Sequence, residues 1–241
     1  MKKPQLFLAL LLIGISVQAQ KVDDILASYI KSSGGVEKMQ KMKSVKLTGT
    51  GSTQQGDFPV VMHRKAPNKV KMVINAQGKE VVAQAYDGTT AWALNPFMGT
   101  TPTKLDEATA KALKEEYMED DFINYKKKGH KVTLEGTEEI DGVKCYKVKL
   151  VKNGAKEEEA EFHYFSADTH LKVLQRTQIP SGPFKGSEAY TYLKDYREVD
   201  GIKVPYLIDQ KVNGSSVFKV TVDSIEINTE VDDAMFAFPQ G

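Results

Sequence analysis

Tyr86-Asp87-Gly88-Thr89-Thr90-Ala91-Trp92-Ala93-Leu94-Asn95-Pro96-Phe97 is an Asp-Gly pair followed by a short alternating run and an Asn-Pro stop. Gly accepts the positive φ of a tight two-residue turn, so Asp87-Gly88 reads as a hairpin. A strand over 89–95 then sets Trp92 and Leu94 on one face and Ala91 and Ala93 on the other. Trp92 is the only tryptophan of the chain. An aromatic stripe beside small residues suits a sheet that lines an apolar space.

The same alternation extends outward from this stretch. Before it, strands are expected over 45–53, 58–65, 69–76 and 80–86; Val70, Met72 and Ile74 share a face that Lys69 and Lys71 avoid. After it, a second block is expected over 131–138, 143–151, 156–165, 171–178, 187–199, 202–211 and 216–228. Its joints are Asp141-Gly142, Asn153-Gly154, Asp200-Gly201 and Asn213-Gly214, the signature of an antiparallel meander. Strands this long favour a strongly curved sheet or barrel over a compact sandwich. Helical spacing covers 22–31, closed by Gly34-Gly35, with another turn or two over 36–42. A further helix is expected over 105–117 with Asp106 as its N-cap, and a short one over 121–125, closed by Lys126-Lys127-Lys128-Gly129.

The N-terminus reads as an export leader. Lys2 and Lys3 precede an apolar run from Leu6 to Ile15, and Val17-Gln18-Ala19 ends it with a small-residue cleavage pattern. The run is about ten residues, where a spanning helix needs about 20. Residues 1–19 are therefore expected to be a signal peptide and 20–241 a single domain, soluble in the periplasm. Loss of Lys2 and Lys3 turns 33 basic against 32 acidic residues into 31 against 32. That balance offers nothing to nucleic acid or to an anionic membrane. Cys145 is the only cysteine, so no intramolecular disulfide forms, and it reads as a small buried strand residue.

No catalytic motif stands out: there is no Gly-x-Ser-x-Gly, His-Glu-x-x-His or Walker loop. His63, His130, His163 and His170 are scattered. Glu161-x-His163 shares a strand face and could serve a metal, but a polar outer face is the reading adopted. Glu157-Glu158-Glu159 and Lys126-Lys127-Lys128 read as solvated runs.

Taken in order, several of these motifs resemble a known family. Gly56-Asp57-Phe58, Arg64-Lys65-Ala66-Pro67-Asn68 and the stretch from Tyr86 to Phe97 resemble the N-terminal half of LolA-type outer-membrane lipoprotein carriers. The close, Asp233-Ala234-Met235-Phe236-Ala237-Phe238-Pro239-Gln240-Gly241, is similar to the end of that family. Asp195-Tyr196-Arg197-Glu198-Val199-Asp200-Gly201-Ile202-Lys203-Val204-Pro205-Tyr206 and Ile225-Glu226-Ile227-Asn228 resemble its Bacteroidetes branch.

The resemblance implies a LolA/LolB-like fold of mainly β structure with helices (α+β): an open, strongly curved antiparallel half-barrel covering helices. It implies a carrier that shields acyl chains, since each exposed methylene costs about 0.8 kcal/mol in water. Lining candidates are Met62, Val70, Met72 and Ile74 before the turn, and Trp92, Leu94, Phe97 and Met98 after it. Met suits such a lining because it repacks around varied ligands. Arg64 matches the family's lid-closing arginine two residues early, with Ala66 directly before Pro67-Asn68. The expected ligand is a lipid or acylated lipoprotein, with inner- and outer-membrane Lol-type proteins as partners. The protein is expected to be a monomer with no nucleic acid, no cofactor, no metal and no enzymatic activity. The alternative is a periplasmic sensor or interaction module in envelope signalling.

Overall fold

Turn chemistry organises the chain over residues 21–239, the part described by the computed structural model. The expected leader, 1–19, and the closing Gln240-Gly241 lie outside the described residues. Asp141-Gly142, Asp200-Gly201 and Asn213-Gly214 each hold two successive residues at positive φ, for instance 51° and 76° at Asp200-Gly201. Two left-handed residues give the twist that matches paired strands. Gln77-Gly78 does the same at 53° and 77°. The sequence reading passed over it because glutamine is not a usual turn residue.

The strands are β1 Ser44–Thr53, β2 Gly56–Lys65, β3 Lys69–Ala76, β4 Lys79–Tyr86, β5 Ala91–Leu94, β6 Thr103–Lys104, β7 Lys131–Ile140, β8 Val143–Val151, β9 Glu161–Ser166, β10 Lys172–Gln178, β11 Glu188–Val199, β12 Ile202–Val212 and β13 Ser215–Ile227. They form one antiparallel sheet of 13 strands in the order β6-β5-β4-β3-β2-β1-β13-β12-β11-β10-β9-β8-β7. The end strands do not meet, so the sheet is an open, curved half-barrel. Helix α1 covers residues 21–32, α2 is Val36–Lys41 and α3 is Glu107–Glu115. No helix among the described residues is long and apolar enough to cross a membrane.

Three local expectations need correction. β5 starts at Ala91, two residues late, because Asp87 Oδ1 accepts the backbone N–H of Thr89 at 2.8 Å and of Thr90 at 2.7 Å. Those amides are then withheld from the ladder. The acidic run Glu157–Glu159 is a 3-10 turn, and its strand begins only at Glu161. Residues 121–129 are successive turns, with Asp120 Oδ1 taking the Phe122 N–H at 2.9 Å. The N-cap of α3 is as expected: Asp106 accepts from the Thr109 N–H at 2.9 Å.

Register assigns one inner face. Val148, His163, Gln175, Thr191, Gln210 and Phe218 lie opposite one another from β8 to β13. Val222, Gly49, Val60 and Ile74 carry the same face across β13, β1, β2 and β3. In the C-terminal half this face is sealed. Val22, Ile25, Leu26 and Tyr29 of α1, with Phe122, pack on Val148, Leu150 and Phe165. Lys126 pairs with Asp23 at 2.6 Å and Lys128 with Glu119 at 2.8 Å, so two lysines of the expected solvated run tie this cover down.

Candidate functional site

The N-terminal half of the inner face is an apolar strip with far less over it. Met62 lies opposite Met72 and Leu47, and Val60 opposite Ile74. Val60, Leu47, Val220 and Val222 are buried at its base. Met62, Met72 and Ile74 are only half-buried, with part of each side chain accessible. Alternation explains the strip: the intervening His63, Lys71 and Val73 point to the other face.

Helix α3 crosses above one end of this strip. Leu113 is its single buried side chain and packs on Val70, Tyr86 and Ala91. Both ends of α3 are tied. At the C-terminus, Arg64 Nη2 donates to the carbonyls of Glu116 and Tyr117 at 3.3 and 3.4 Å, and pairs with Glu116 Oε1 at 3.2 Å. Asn68 Nδ2 donates to the Lys114 carbonyl at 2.7 Å. A cation and an amide thus satisfy carbonyls that a helix end leaves open, where positive charge is also favourable. At the N-terminal side, Thr109 Oγ1 and Ser181 Oγ share a hydrogen bond of 2.6 Å, and Lys111 reaches Glu159 at 3.1 Å. Surface ties of this sort hold weakly. Leu113, half-buried Ala110 and a few polar contacts therefore hold α3 between the β2–β3 turn and the β10–β11 connection.

The wall facing the strip is polar. Glu161 Oε1 pairs with Lys152 at 2.9 Å, and Lys152 also reaches Asp121 Oδ2 at 3.2 Å. Glu161 Oε2 accepts from Gln175 Nε2 at 3.1 Å and from His163 Nε2 at 3.2 Å. Glu161-x-His163 is thus on the inner face, not the outer one expected; His163 is 2% exposed, with its ring edge-on to Phe122. Burial raises the Glu161 carboxyl, but the His163 hydrogen bond and the Lys152 ammonium outweigh it and hold the group well below the usual carboxylate range. Burial, reinforced by Lys172, lowers the His163 imidazole, so the ring is neutral at pH 7. Among the described residues no group of three or more His, Cys, Asp or Glu is placed to hold a metal ion. Three cavities adjoin this wall, one of them of about 450 Å³ beside Asp121, His130 and Lys152. Another, of about 360 Å³, runs under Arg64, Glu116 and Met118, and the third, of about 510 Å³, lies between α3 and β9–β10. Cys145 is buried on the outer face, its thiol pushed up to about 11 by burial and Glu138, which leaves it protonated and inert.

The eight lining candidates do not form one surface. Met62, Val70, Met72 and Ile74 share the inner face. Trp92 and Leu94 share a face as expected, but Trp92 lies opposite Ala85, which lies opposite Lys71, on the outer side. There the C-terminal tail covers the indole: its Nε1 donates to the Phe236 carbonyl at 2.9 Å, and Phe238 stands edge-on. Phe97 and Met98 are exposed in the β5–β6 loop. Asn68, Thr109 and Ser181 were missed as the contacts that hold α3; only Asn68 carried a signal, its place beside Pro67 in the quoted motif.

No protein-family description and no curated protein matches the sequence. Solved structures do. A LolA superfamily protein from Nitrosomonas europaea superposes with a TM-score of 0.57 at 12% identity, over 89% of this chain and 96% of that one. The fold is LolA-like. A DUF1329 family protein from Desulfovibrio piger gives a TM-score of 0.60 at 11% identity, over 90% of this chain and 97% of that one. An outer-membrane lipoprotein-sorting domain from Vibrio parahaemolyticus gives 0.53 at 7% identity, over 80% and 89%. At such identities the LolA-like likeness extends to the fold, and the site rests on this chain's own residues.

Proposed function

We propose that this chain is a non-enzymatic carrier that shelters acyl chains of a lipid or lipoprotein in the periplasm. The observation that carries the reading is the half-buried apolar strip of Met62, Met72 and Ile74 under a short, weakly tied helix. Covering exposed apolar surface is favourable by about 25 cal/mol per Å², and methionines adapt to chains of different length. Residues 1–19 are the leader, cleaved after Ala19, and 20–241 form the working domain. Inner- and outer-membrane Lol-type proteins are the partners that would load and unload a monomeric carrier. Val70 is the floor under the lid, and Arg64 sets how readily the lid opens.

The test is titration of the exported chain with a fluorescent fatty acid. Saturation near one probe per chain is expected. Met72→Glu should abolish binding with the circular dichroism spectrum intact, because a charge against hydrocarbon is costly. Arg64→Ala should speed probe release at a stability cost under about 1 kcal/mol. Undiminished binding by a folded Met72→Glu variant would sink the proposal.

A further inference from the structure

The apolar strip ends on a charge. On β2 the inner face reads Val60, Met62, Arg64, and on β3 it reads Ile74, Met72, Val70, with Arg64 opposite Val70. Beneath Arg64 lies the cavity of about 360 Å³. Val204 packs on the same buried cluster as Met62 and Met72 and also lines the cavity, so strip and cavity adjoin. Arg64 stands by the β2–β3 turn, Lys172 opens β10 and Ile202 opens β12, and all three line the cavity. In an antiparallel sheet these positions share one end, and the strip runs from that end toward the β3–β4 turn.

Most charges around the cavity are already paired. Arg64 meets Glu116 at 3.2 Å, and Lys203 meets Glu198 at 3.4 Å. Lys152 holds Asp121 at 3.2 Å and Glu161 at 2.9 Å, and Lys128 holds Glu119 at 2.8 Å. Carboxylates match the cations, so the cavity has no general pull on anions. Lys172 is the exception. Its side chain is 13% exposed, less than that of Arg64, Lys152 or Lys203. The nearest carboxylate oxygen, Asp120 Oδ2, is 3.9 Å away, beyond hydrogen-bonding distance. Asp120 is engaged elsewhere: Oδ2 accepts from the Tyr29 hydroxyl at 2.6 Å and Oδ1 from the Phe122 N–H at 2.9 Å. The Tyr29 and Phe122 rings each stand 5.6 Å from the Lys172 ammonium and attract it as π faces, which leaves its N–H donors without an oxygen acceptor among the described residues. A buried ammonium in that state is costly until an acceptor arrives. His163 lines the same cavity with a second gap. Its Nε2 faces Glu161, so Nδ1 of the neutral ring is an acceptor, buried and unpaired among the described residues.

We propose that this cavity seats the polar head of an acyl lipid whose chain lies on the strip, and that Lys172 binds an anionic oxygen of that head, a carboxylate or a phosphate. This head site rests on the carrier reading and names the polar part of its cargo. Because one buried ammonium makes the contact and the surrounding charges cancel, the preference for an anionic head depends little on salt.

Titration of the exported chain with a fluorescent fatty acid and with the methyl ester of the same probe tests it, since the two differ in the charge of the head. The acid should bind roughly tenfold tighter or more, at low and at high salt, as a charge-assisted hydrogen bond requires. Lys172→Met keeps an apolar stem against Tyr29 and Phe122 and should weaken acid binding by roughly tenfold, so that the preference over the ester disappears. Equal affinity of the unaltered chain for acid and ester would overturn the head site and leave the carrier reading standing, and so would a folded Lys172→Met variant that keeps the preference. The first comparison needs no substitution and decides the matter even where the variant does not fold. Binding of neither probe would remove the carrier reading and the head site together. Dodecanoate and dodecyl phosphate as competitors tell the two heads apart: the one that displaces the acid probe at the lower concentration is the head that the cavity fits. Inorganic phosphate that displaces the probe as well as dodecyl phosphate does would give the cavity to a free anion and overturn the proposal.

Discussion

The two halves of the inner face are built from the same alternation and end differently. Over β8 and β9, Val148, Leu150 and Phe165 are met by α1 and Phe122 and become core. Over β2 and β3, Met62, Met72 and Ile74 pack on the base of the strip and stay half-buried, Met62 alone also reaching the cluster under Leu113 of α3. The difference lies in what covers the strands, not in the strands. α1 brings buried Val22, Ile25, Leu26 and Tyr29 to its half, whereas α3 brings one buried residue, Leu113, and half-buried Ala110. A helix with one buried residue can leave its site at low cost, and a helix with four cannot. A half-barrel can thus keep a rigid half and an adaptable half in one continuous sheet.

The largest expected effect breaks that comparison if it fails. Phe165→Ala should cost about 3–5 kcal/mol, because it opens a cavity in the sealed half. Met72→Ala should cost about 1 kcal/mol, because its side chain is already partly in water. Urea unfolding of the two variants measures both, and equal losses would mean that the strip is ordinary core.

A smaller effect concerns the polar wall between the halves. His163 faces Glu161, with Lys172, Asp120 and Lys152 nearby, and burial lowers its affinity for protons. The unfolded imidazole titrates near about 6.5, so below that pH the unfolded state binds a proton that the folded state refuses. Stability should therefore fall as pH drops from about 6.5 toward the folded value, by up to about 1.4 kcal/mol per pH unit. Glu161 acts lower: its carboxylate contribution is present above about pH 4.3 and is lost as pH falls through its depressed folded value. His163→Gln keeps a donor for Glu161 and should flatten the slope between pH 6.5 and 5. An unchanged slope would place the proton elsewhere.

The smallest expected effect is none. Trp92 lies under the tail on the outer face, so its emission should stay constant while the fatty-acid probe saturates the chain. A shift that tracks probe binding would show that the two faces are coupled, or that cargo lies beside the indole.

Much of the sheet was legible because its determinants are local. Asp200-Gly201 and Asn213-Gly214 fix turns through the φ values they tolerate, and Val70, Met72 and Ile74 fix a face through their period. The start of β5 was misplaced because a single side chain, Asp87, competes for two amides. The site was less legible. Met72 and Trp92 carry the same local signal of an apolar residue on an alternating strand, yet they lie on opposite faces.

Which strands exist, where they turn and which residues share a face within each strand follow from the chain's own sequence, because turn conformation and pleat act over two to four residues. Which apolar stripe becomes core and which stays open depended on where α1, α3 and the tail from Asp233 to Phe238 come to rest. Those placements join residues far beyond the reach of a turn or a pleat, as Leu113 meets Val70 and Trp92 joins Phe236. Contacts of that range are decided by the burial each segment can still find once the sheet has formed, and no local period encodes them.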